Sequence, residues 1–91
     1  PDVIMVDCSH ANSRKKYQGQ AIVWKSALEQ RMSGNDALVG MMLESNVEAG
    51  KQPFVYGETK KEDLNPFVSI TDACIGWDET EDLITTAYRQ L

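Results

Sequence analysis

The sequence predicts an α/β fold in which parallel strands alternate with helices. Two continuous apolar runs, at residues 3–6 and 37–43, each end in a cluster of polar and titratable side chains. Apolar runs of this kind are typical of strands that are covered on both faces, as in a parallel sheet. The segment between the runs is long enough for a crossover helix, which a parallel pair of strands requires.

Length and composition limit the chain to one small domain. The chain has 91 residues, of which 42% are hydrophobic and 25% are charged, and these values are ordinary for a globular protein. The net charge of -5 argues against a nucleic-acid surface, which needs clustered Lys and Arg. No apolar stretch approaches the roughly 20 residues of a membrane helix. We therefore expect no nucleic-acid partner, no membrane partner and a cytoplasmic location.

The first strand is expected over residues 3–8 and the following helix over residues 14–32. Asn12 or Ser13 is expected to cap this helix, because a side-chain oxygen there can accept from the free N–H groups of the first turn. Apolar residues at three- and four-residue spacing give the helix one face to bury. They are Tyr17, Ala21, Trp24, Leu28 and Met32.

The second strand is expected over residues 37–43, and a long loop over residues 45–68 separates it from the last helix, at 79–91. Loops of this length in a compact domain are usually either functional lids or disordered, and the sequence leaves both outcomes open. Asp78 is expected to cap the last helix, with Glu81 as its capping-box partner. The apolar face of this helix comprises Leu83, Ile84, Ala87, Tyr88 and Leu91.

Three residues are candidate ligands of a divalent metal ion. A right-handed crossover places the ends of both strands at one edge of the sheet, so that His10, Glu44 and Asp72 would share a rim. An imidazole with two carboxylates is a normal ligand set for manganese, iron, cobalt or zinc. Taken singly, each residue also suits a structural role: His10 as a hydrogen-bonded structural histidine, Glu44 in a salt bridge, and Asp72 as a turn or cap residue.

Neither cysteine is expected to take part in this site. Two cysteines are too few for a disulfide-stapled secreted fold, so Cys8 and Cys74 are expected to be reduced thiols. Cys8 is close to His10 in sequence, but it directly follows the apolar run and is expected to be a buried residue that takes no part in the chemistry. Cys74 has no basic partner nearby in sequence that would activate its thiol. We assign no other catalytic or cofactor-binding residue to the chain.

The predicted architecture is incomplete as an independent domain. Two parallel strands with two helices leave each outer strand edge unpaired and one sheet face poorly covered. The chain is therefore expected either to be a piece of a larger α/β sheet or barrel, or to be completed by association with copies of itself as a homo-oligomer.

Three strings resemble the closing part of the class I 3-deoxy-D-arabino-heptulosonate 7-phosphate (DAHP) synthases. They are DCSHAN at 7–12, GMMLESN at 40–46 and SITDACIGW at 69–77. The resemblance implies the C-terminal part of a (β/α)8 TIM barrel, with its last two parallel strands and their helices. It also implies that His10, Glu44 and Asp72 match the metal ligands of the family. A fourth ligand, a cysteine, and the Arg and Lys groups that bind the substrate phosphates would lie upstream.

The reaction that this resemblance implies joins phosphoenolpyruvate to erythrose 4-phosphate in the first step of the shikimate pathway. The metal would polarise the aldehyde oxygen as a Lewis acid. The chain alone is expected to be inactive, because it lacks the phosphate-binding groups. The segment between Glu44 and Asp72 is longer than usual in the family, and Tyr56-Gly57 is separated from the last motif. The alternatives are a non-enzymatic self-associating α/β module and a segment of another metal-dependent barrel aldolase.

Overall fold

The computed structural model describes residues 2–14 and 16–91. Within these ranges the chain forms two strands and two α-helices, which are β1 (Ile4–Asp7), α1 (Gln20–Met32), β2 (Leu38–Met42) and α2 (Trp77–Gln90). Short 3-10 turns occur at Tyr17–Gly19 and Lys61–Asp63. The alternation of strand and helix confirms the α/β class. Pro1 and Lys15, which the expected domain over 1–91 includes, lie outside the described residues.

The strands β1 and β2 form a parallel pair. Ile4 is opposite Leu38 and Asp7 is opposite Met42, with an irregularity in the register between Ile4 and Met5. Beyond β1, the N–H of Cys8 donates to the carbonyl oxygen of Met42 at 2.9 Å. Because the strands are parallel, the chain leaves both of them at one edge of the sheet, which we call the carboxyl edge. The segments after Asp7 and after Met42 both begin there.

The hydrophobic core lies between the sheet and the two helices. It consists of six buried residues from the end of β1, from both helices and from the segment before α2, namely Cys8, Trp24, Leu28, Ile75, Leu83 and Ala87. Val6, Met41 and Leu43 pack against this cluster from the sheet side. In the part of the chain that the structure describes, no helix has the length and apolar character that crossing a membrane requires.

As expected for two strands with two helices, this chain alone does not cover its strands on both faces. The side chains of Val3, Met5 and Val39 are 66%, 65% and 62% exposed. Residues 2–14 and 16–91 also provide no further strand to pair with the outer edge of either β1 or β2. The sequence composition of the strands is that of a covered parallel sheet, whereas the described residues leave part of the sheet exposed.

The first helix begins at Gln20, later than the predicted start at residue 14, and the predicted cap is wrong. The amide of Asn12 donates to the carbonyl oxygen of Asp7 at 2.7 Å, and the hydroxyl of Ser13 donates to the carbonyl oxygen of His10 at 3.1 Å. Both side chains therefore stabilise the turn that follows β1, and the helix begins seven residues after Ser13. Gly19 occupies the N-cap position of α1.

The last helix begins at Trp77, earlier than the predicted start at residue 79. Gly76 is its N-cap residue, so the predicted capping box of Asp78 and Glu81 is wrong. Asp78 and Glu79 lie instead in the first turn of α2. Carboxylates at that position interact favourably with the positive end of the helix dipole.

The long loop over residues 45–68 is attached to the segment that precedes α2. Gly50 and Cys74 exchange two backbone hydrogen bonds, of 2.8 and 3.1 Å, and the N–H of Gln52 donates to the carbonyl oxygen of Ser69 at 2.8 Å. The side-chain amide of Gln52 also donates to the carbonyl oxygens of Asn65 and Val68. These contacts fold the loop back on itself and hold its base beside the segment at 69–75.

Replacement of Leu83 by Ala is expected to lower the free energy of unfolding by about 2–5 kcal/mol, because it leaves a cavity in the core. Leu83 is 2% exposed, whereas its neighbour Ile84 is 50% exposed. The matched control Ile84→Ala should therefore change stability by less than about 1 kcal/mol. Urea denaturation followed by far-ultraviolet circular dichroism measures both values. Equal losses in the two variants would contradict the observed packing of α2.

Candidate metal centre

His10 lies just beyond β1 on a turn that its neighbours hold in an unusual conformation. Its backbone φ is 49°, in the left-handed region that costs a non-glycine residue about 1–2 kcal/mol. The N–H of Ser9 donates to Oδ1 of Asp7 at 2.8 Å, and the carbonyl oxygen of His10 accepts from Ser13. Strained backbone persists where surrounding contacts determine it, and it occurs preferentially at functional sites.

Asp7 fixes the orientation of the His10 imidazole. Oδ2 of Asp7 lies 2.9 Å from Nδ1 of His10. Because a carboxylate only accepts hydrogen bonds, Nδ1 carries a proton and donates it to Asp7. Nε2, on the opposite side of the ring, is directed at the other two candidate residues, 2.8 Å from Oε1 of Glu44 and 3.2 Å from Oδ2 of Asp72.

Glu44 and Asp72 come from segments that are joined to each other by their backbones. Glu44 lies just after β2, and its carbonyl oxygen accepts from the N–H of Ile75 at 3.0 Å. Asp72 lies in the segment that leads to Ile75, and Cys74 in the same segment pairs with Gly50. The position of Asp72 relative to Glu44 is therefore determined by hydrogen bonds of Cys74 and Ile75, two and three residues after Asp72.

The structure brings the three predicted residues together. One nitrogen or oxygen atom from each of His10, Glu44 and Asp72 lies within 4.8 Å of the others. The His10 side chain is 52% exposed, so this edge is open to ligands from outside. One imidazole nitrogen and two carboxylate oxygens are suitable donors for a borderline divalent cation, and three protein donors leave coordination positions free. The donor set thus fits a metal ion.

The carboxylates determine the protonation of His10. The hydrogen bond to Asp7, the negative charge of Glu44 and the hydrogen bond to Asp72 all raise the pKa of His10 above its ordinary value. The hydrogen bonds from His10 and from the Ser9 N–H lower the pKa of Asp7. This edge of the chain therefore favours a positive charge between the carboxylates.

Cys8 and Cys74 are free thiols, and both are buried. Burial raises the pKa of Cys8 to about 11, and burial also raises the pKa of Cys74. The thiol of Cys74 donates to the carbonyl oxygen of Asp72 at 3.5 Å. A thiol that stays protonated at neutral pH is a poor nucleophile and a poor metal ligand. Neither cysteine side chain is therefore a good donor for the three-residue cluster.

Asp7 is the residue to which sequence reasoning gave no role. The sequence pattern that could have indicated a role for Asp7 is a carboxylate three residues before a histidine at the end of a strand. This pattern indicates a contact only if the chain turns tightly at His10, because the turn brings the imidazole next to the Asp7 side chain. Nothing in the residue types alone predicts the left-handed backbone of a histidine at that position.

Comparison with known proteins identifies relatives across nearly the whole chain. The sequence model of the DAHP synthetase I family matches residues 2–85. A tyrosine-inhibited phospho-2-dehydro-3-deoxyheptonate aldolase of Candida albicans is 48% identical over 82 residues, which cover 90% of this chain and 22% of that protein. A Tyr-sensitive phospho-2-dehydro-3-deoxyheptonate aldolase of Escherichia coli is 40% identical over 88 residues, which cover 97% of this chain and 24% of that protein. The chain thus spans about a quarter of the length of these relatives.

A solved structure shows the same relationship. A phospho-2-dehydro-3-deoxyheptonate aldolase from Francisella tularensis matches with a TM-score of 0.83 and 35% sequence identity. The match covers 97% of this chain and 24% of that structure. The two strands and two helices of this chain therefore correspond to part of a larger fold.

Replacement of Asp7 by Asn is expected to lower the pKa of His10 in the metal-free chain, because the Asp7 hydrogen bond is the largest influence that raises it. Glu44→Gln should lower the pKa as well, by removing a nearby negative charge. His10 is the one histidine of the chain, so its NMR signals during a pH titration in the presence of a chelator are unambiguous.

The control for this measurement is Asp36→Asn, which removes a carboxylate that pairs with Arg31 at 3.4 Å. It should leave the pKa of His10 unchanged. A His10 pKa that is the same in wild type and in Asp7→Asn would contradict the contact between Asp7 and the imidazole.

Proposed function

The chain belongs to the DAHP synthetase I family, and from this premise we propose that it is the C-terminal portion of a DAHP synthase that supplies three ligands to the catalytic metal. The supporting observation is the convergence of His10, Glu44 and Asp72 at the carboxyl edge of β1 and β2. Active sites of α/β barrels lie at that edge of the strands.

The strands β1 and β2 are proposed to be the last two strands of a (β/α)8 TIM barrel. A closed barrel pairs every strand on both sides, whereas the described residues leave the outer edges of β1 and β2 without a partner. The exposed side chains of Val3, Met5 and Val39 are the kind that a complete barrel covers. The relatives are also several times longer than this chain, which leaves enough sequence for the remaining strands.

In this proposal His10 Nε2, a Glu44 oxygen and an Asp72 oxygen hold a divalent cation of the manganese, iron, cobalt or zinc type. The cation, when bound, supplies a Lewis acid for the aldehyde oxygen of erythrose 4-phosphate. Asp7 keeps the proton on Nδ1 of His10, so that Nε2 can offer its lone pair to the cation. Such a carboxylate–histidine pair fixes the tautomer and increases the basicity of the ligating nitrogen.

The proposed reaction of the complete enzyme joins phosphoenolpyruvate to erythrose 4-phosphate and releases phosphate, as the first step of the shikimate pathway. In this reaction the chain would contribute the three metal ligands, and the exposed side of the site would remain open for substrate. The groups that bind the substrate phosphates would be supplied by sequence outside the chain. We therefore propose that the 91-residue chain alone is inactive.

Self-association is a second candidate role, and the exposed apolar side chains of the sheet favour it. Two copies that covered Val3, Met5 and Val39 would remove apolar surface from water. Pairing of the open strand edges would also satisfy their backbone groups. In this role the chain is a homo-oligomeric module that needs no upstream sequence to be stable.

The chain is expected to bind Co²⁺ or Mn²⁺, and His10→Ala or Glu44→Ala should weaken binding by more than about 100-fold. Loss of a direct ligand should exceed the 10–100-fold loss that follows removal of an outer-shell partner. Isothermal titration calorimetry at constant pH measures the affinity. Glu62→Gln changes an exposed carboxylate in the Lys61–Asp63 turn and should leave the affinity unchanged. Equal affinities in wild type and His10→Ala would refute the ligand assignment.

An assay of the purified chain with phosphoenolpyruvate, erythrose 4-phosphate and Mn²⁺ is expected to show no condensation. A full-length protein that contains this segment should be active, and His10→Ala in that protein should abolish the activity. Release of inorganic phosphate measures the reaction. Turnover by the 91-residue chain at the rate of the full-length protein would contradict its proposed status as a portion of the enzyme.

A further inference from the structure

Gln20 makes an unusual pair of hydrogen bonds with the backbone of Glu44. Gln20 is the first residue of α1 and is fully buried. Its Oε1 accepts from the N–H of Glu44 at 2.8 Å, and its Nε2 donates to the carbonyl oxygen of Glu44 at 3.0 Å. One side-chain amide therefore satisfies both backbone groups of one residue, as a neighbouring strand would.

The contact between Gln20 and Glu44 lies beyond the point where the pairing of β1 with β2 ends. The paired residues of the sheet end at Asp7 and Met42, and Cys8 makes the next backbone bond to Met42. Glu44 is two residues beyond Met42, so the N–H and the carbonyl group of Glu44 need other partners. Gln20 provides a partner for both, and the N–H of Ile75 provides a second donor to the carbonyl oxygen.

The start of α1 is also packed closely against the His10 turn. A Cβ atom added to Gly19 would lie 2.6 Å from the carbonyl oxygen of Ser13, which is closer than real side chains approach. Ser13 in turn donates to the carbonyl oxygen of His10. The helix start therefore contacts the turn that carries His10 through Gly19 and the residue that carries Glu44 through Gln20.

We propose that Gln20 is a positioning residue of the metal centre, which holds the Glu44 backbone so that the Glu44 carboxylate meets Nε2 of His10. Gln20 acts through Glu44, and the inference rests on the proposed metal-binding function. Burying a side-chain amide costs free energy unless its hydrogen bonds are made. The buried Gln20 amide makes both of its bonds to the Glu44 backbone, so each residue restricts the position of the other. A ligand held in this way loses little freedom when it binds a cation.

The test compares two substitutions of Gln20 with two controls. Gln20→Met keeps the length of the side chain and removes both hydrogen bonds, whereas Gln20→Glu keeps the shape and an acceptor for the Glu44 N–H but removes the donor. Gln30→Met is the matched control, because Gln30 is an exposed residue of the same helix whose amide donates to the hydroxyl of Ser26. Leu83→Ala is the control for general destabilisation, because it lies in the core.

Three quantities are measured on the whole chain: the Co²⁺ dissociation constant, the visible absorption spectrum of bound Co²⁺, and the hydrogen exchange of the Glu44 N–H in the metal-free chain. Gln20→Met is expected to weaken Co²⁺ binding by about 10–100-fold, as for outer-shell partners of metal sites. It should also alter the Co²⁺ spectrum and accelerate exchange of the Glu44 N–H. Gln30→Met should change none of the three, and Leu83→Ala should leave the spectrum of the loaded chain unchanged.

Unchanged affinity, spectrum and exchange in Gln20→Met would overturn the inference, while loss of binding in His10→Ala would leave the metal proposal standing. If wild type binds no cation, the proposed function fails, and the inference about a metal centre fails with it. Accelerated Glu44 exchange in Gln20→Met would then show only a structural contact. If Gln20→Met does not fold, Gln20→Glu decides by the same three measurements, and wild-type values in that variant overturn the inference.

Discussion

The parallel pairing of β1 with β2 is the constraint on which the candidate site depends. Pairing of Asp7 with Met42 ends the sheet at the same level on both strands, so the next residues of each segment enter the same space. His10 and Glu44 follow within three residues of these ends. An antiparallel pair would place the two segments at opposite ends of the sheet. The segment with Asp72 joins them because Ile75 donates to the Glu44 carbonyl oxygen.

Negative charge accumulates at this edge of the chain. Asp7, Glu44 and Asp72 surround one imidazole, and their contacts raise the pKa of His10. Like charges at short range are unfavourable unless a cation lies between them. In the metal-free chain a protonated His10 would be that cation. A divalent ion in contact with Nε2 would take its place, and Asp7 would still hold the proton on Nδ1. The same arrangement thus accounts for the hydrogen bonds that are observed and for the ion that is proposed.

The sequence predicts those features that depend on local patterns or on strand direction. The apolar runs predict both strands, and the parallel topology predicts that His10, Glu44 and Asp72 meet. The helix starts are not predictable in this way. Asn12 and Ser13 have the chemistry of caps, but their side chains bind the carbonyl groups of Asp7 and His10. Asp78 is also a good cap by type, yet Gly76 occupies the cap position. In each case the helix begins at a residue that residue type alone does not reveal.

This chain supplies the contacts that form the carboxyl edge, but it does not supply all the contacts that would cover the remainder of the sheet. At the carboxyl edge the three candidate ligands meet through contacts supplied by the chain itself, among them the pair formed by Gln20 and Glu44. Elsewhere on the sheet, the apolar side chains of Val3, Met5 and Val39 are left exposed by the described residues. Small domains bury a low fraction of their surface, so this exposed surface limits the stability of the chain. Covering it, by further strands or by a second copy, would stabilise an edge at which His10, Glu44 and Asp72 already meet.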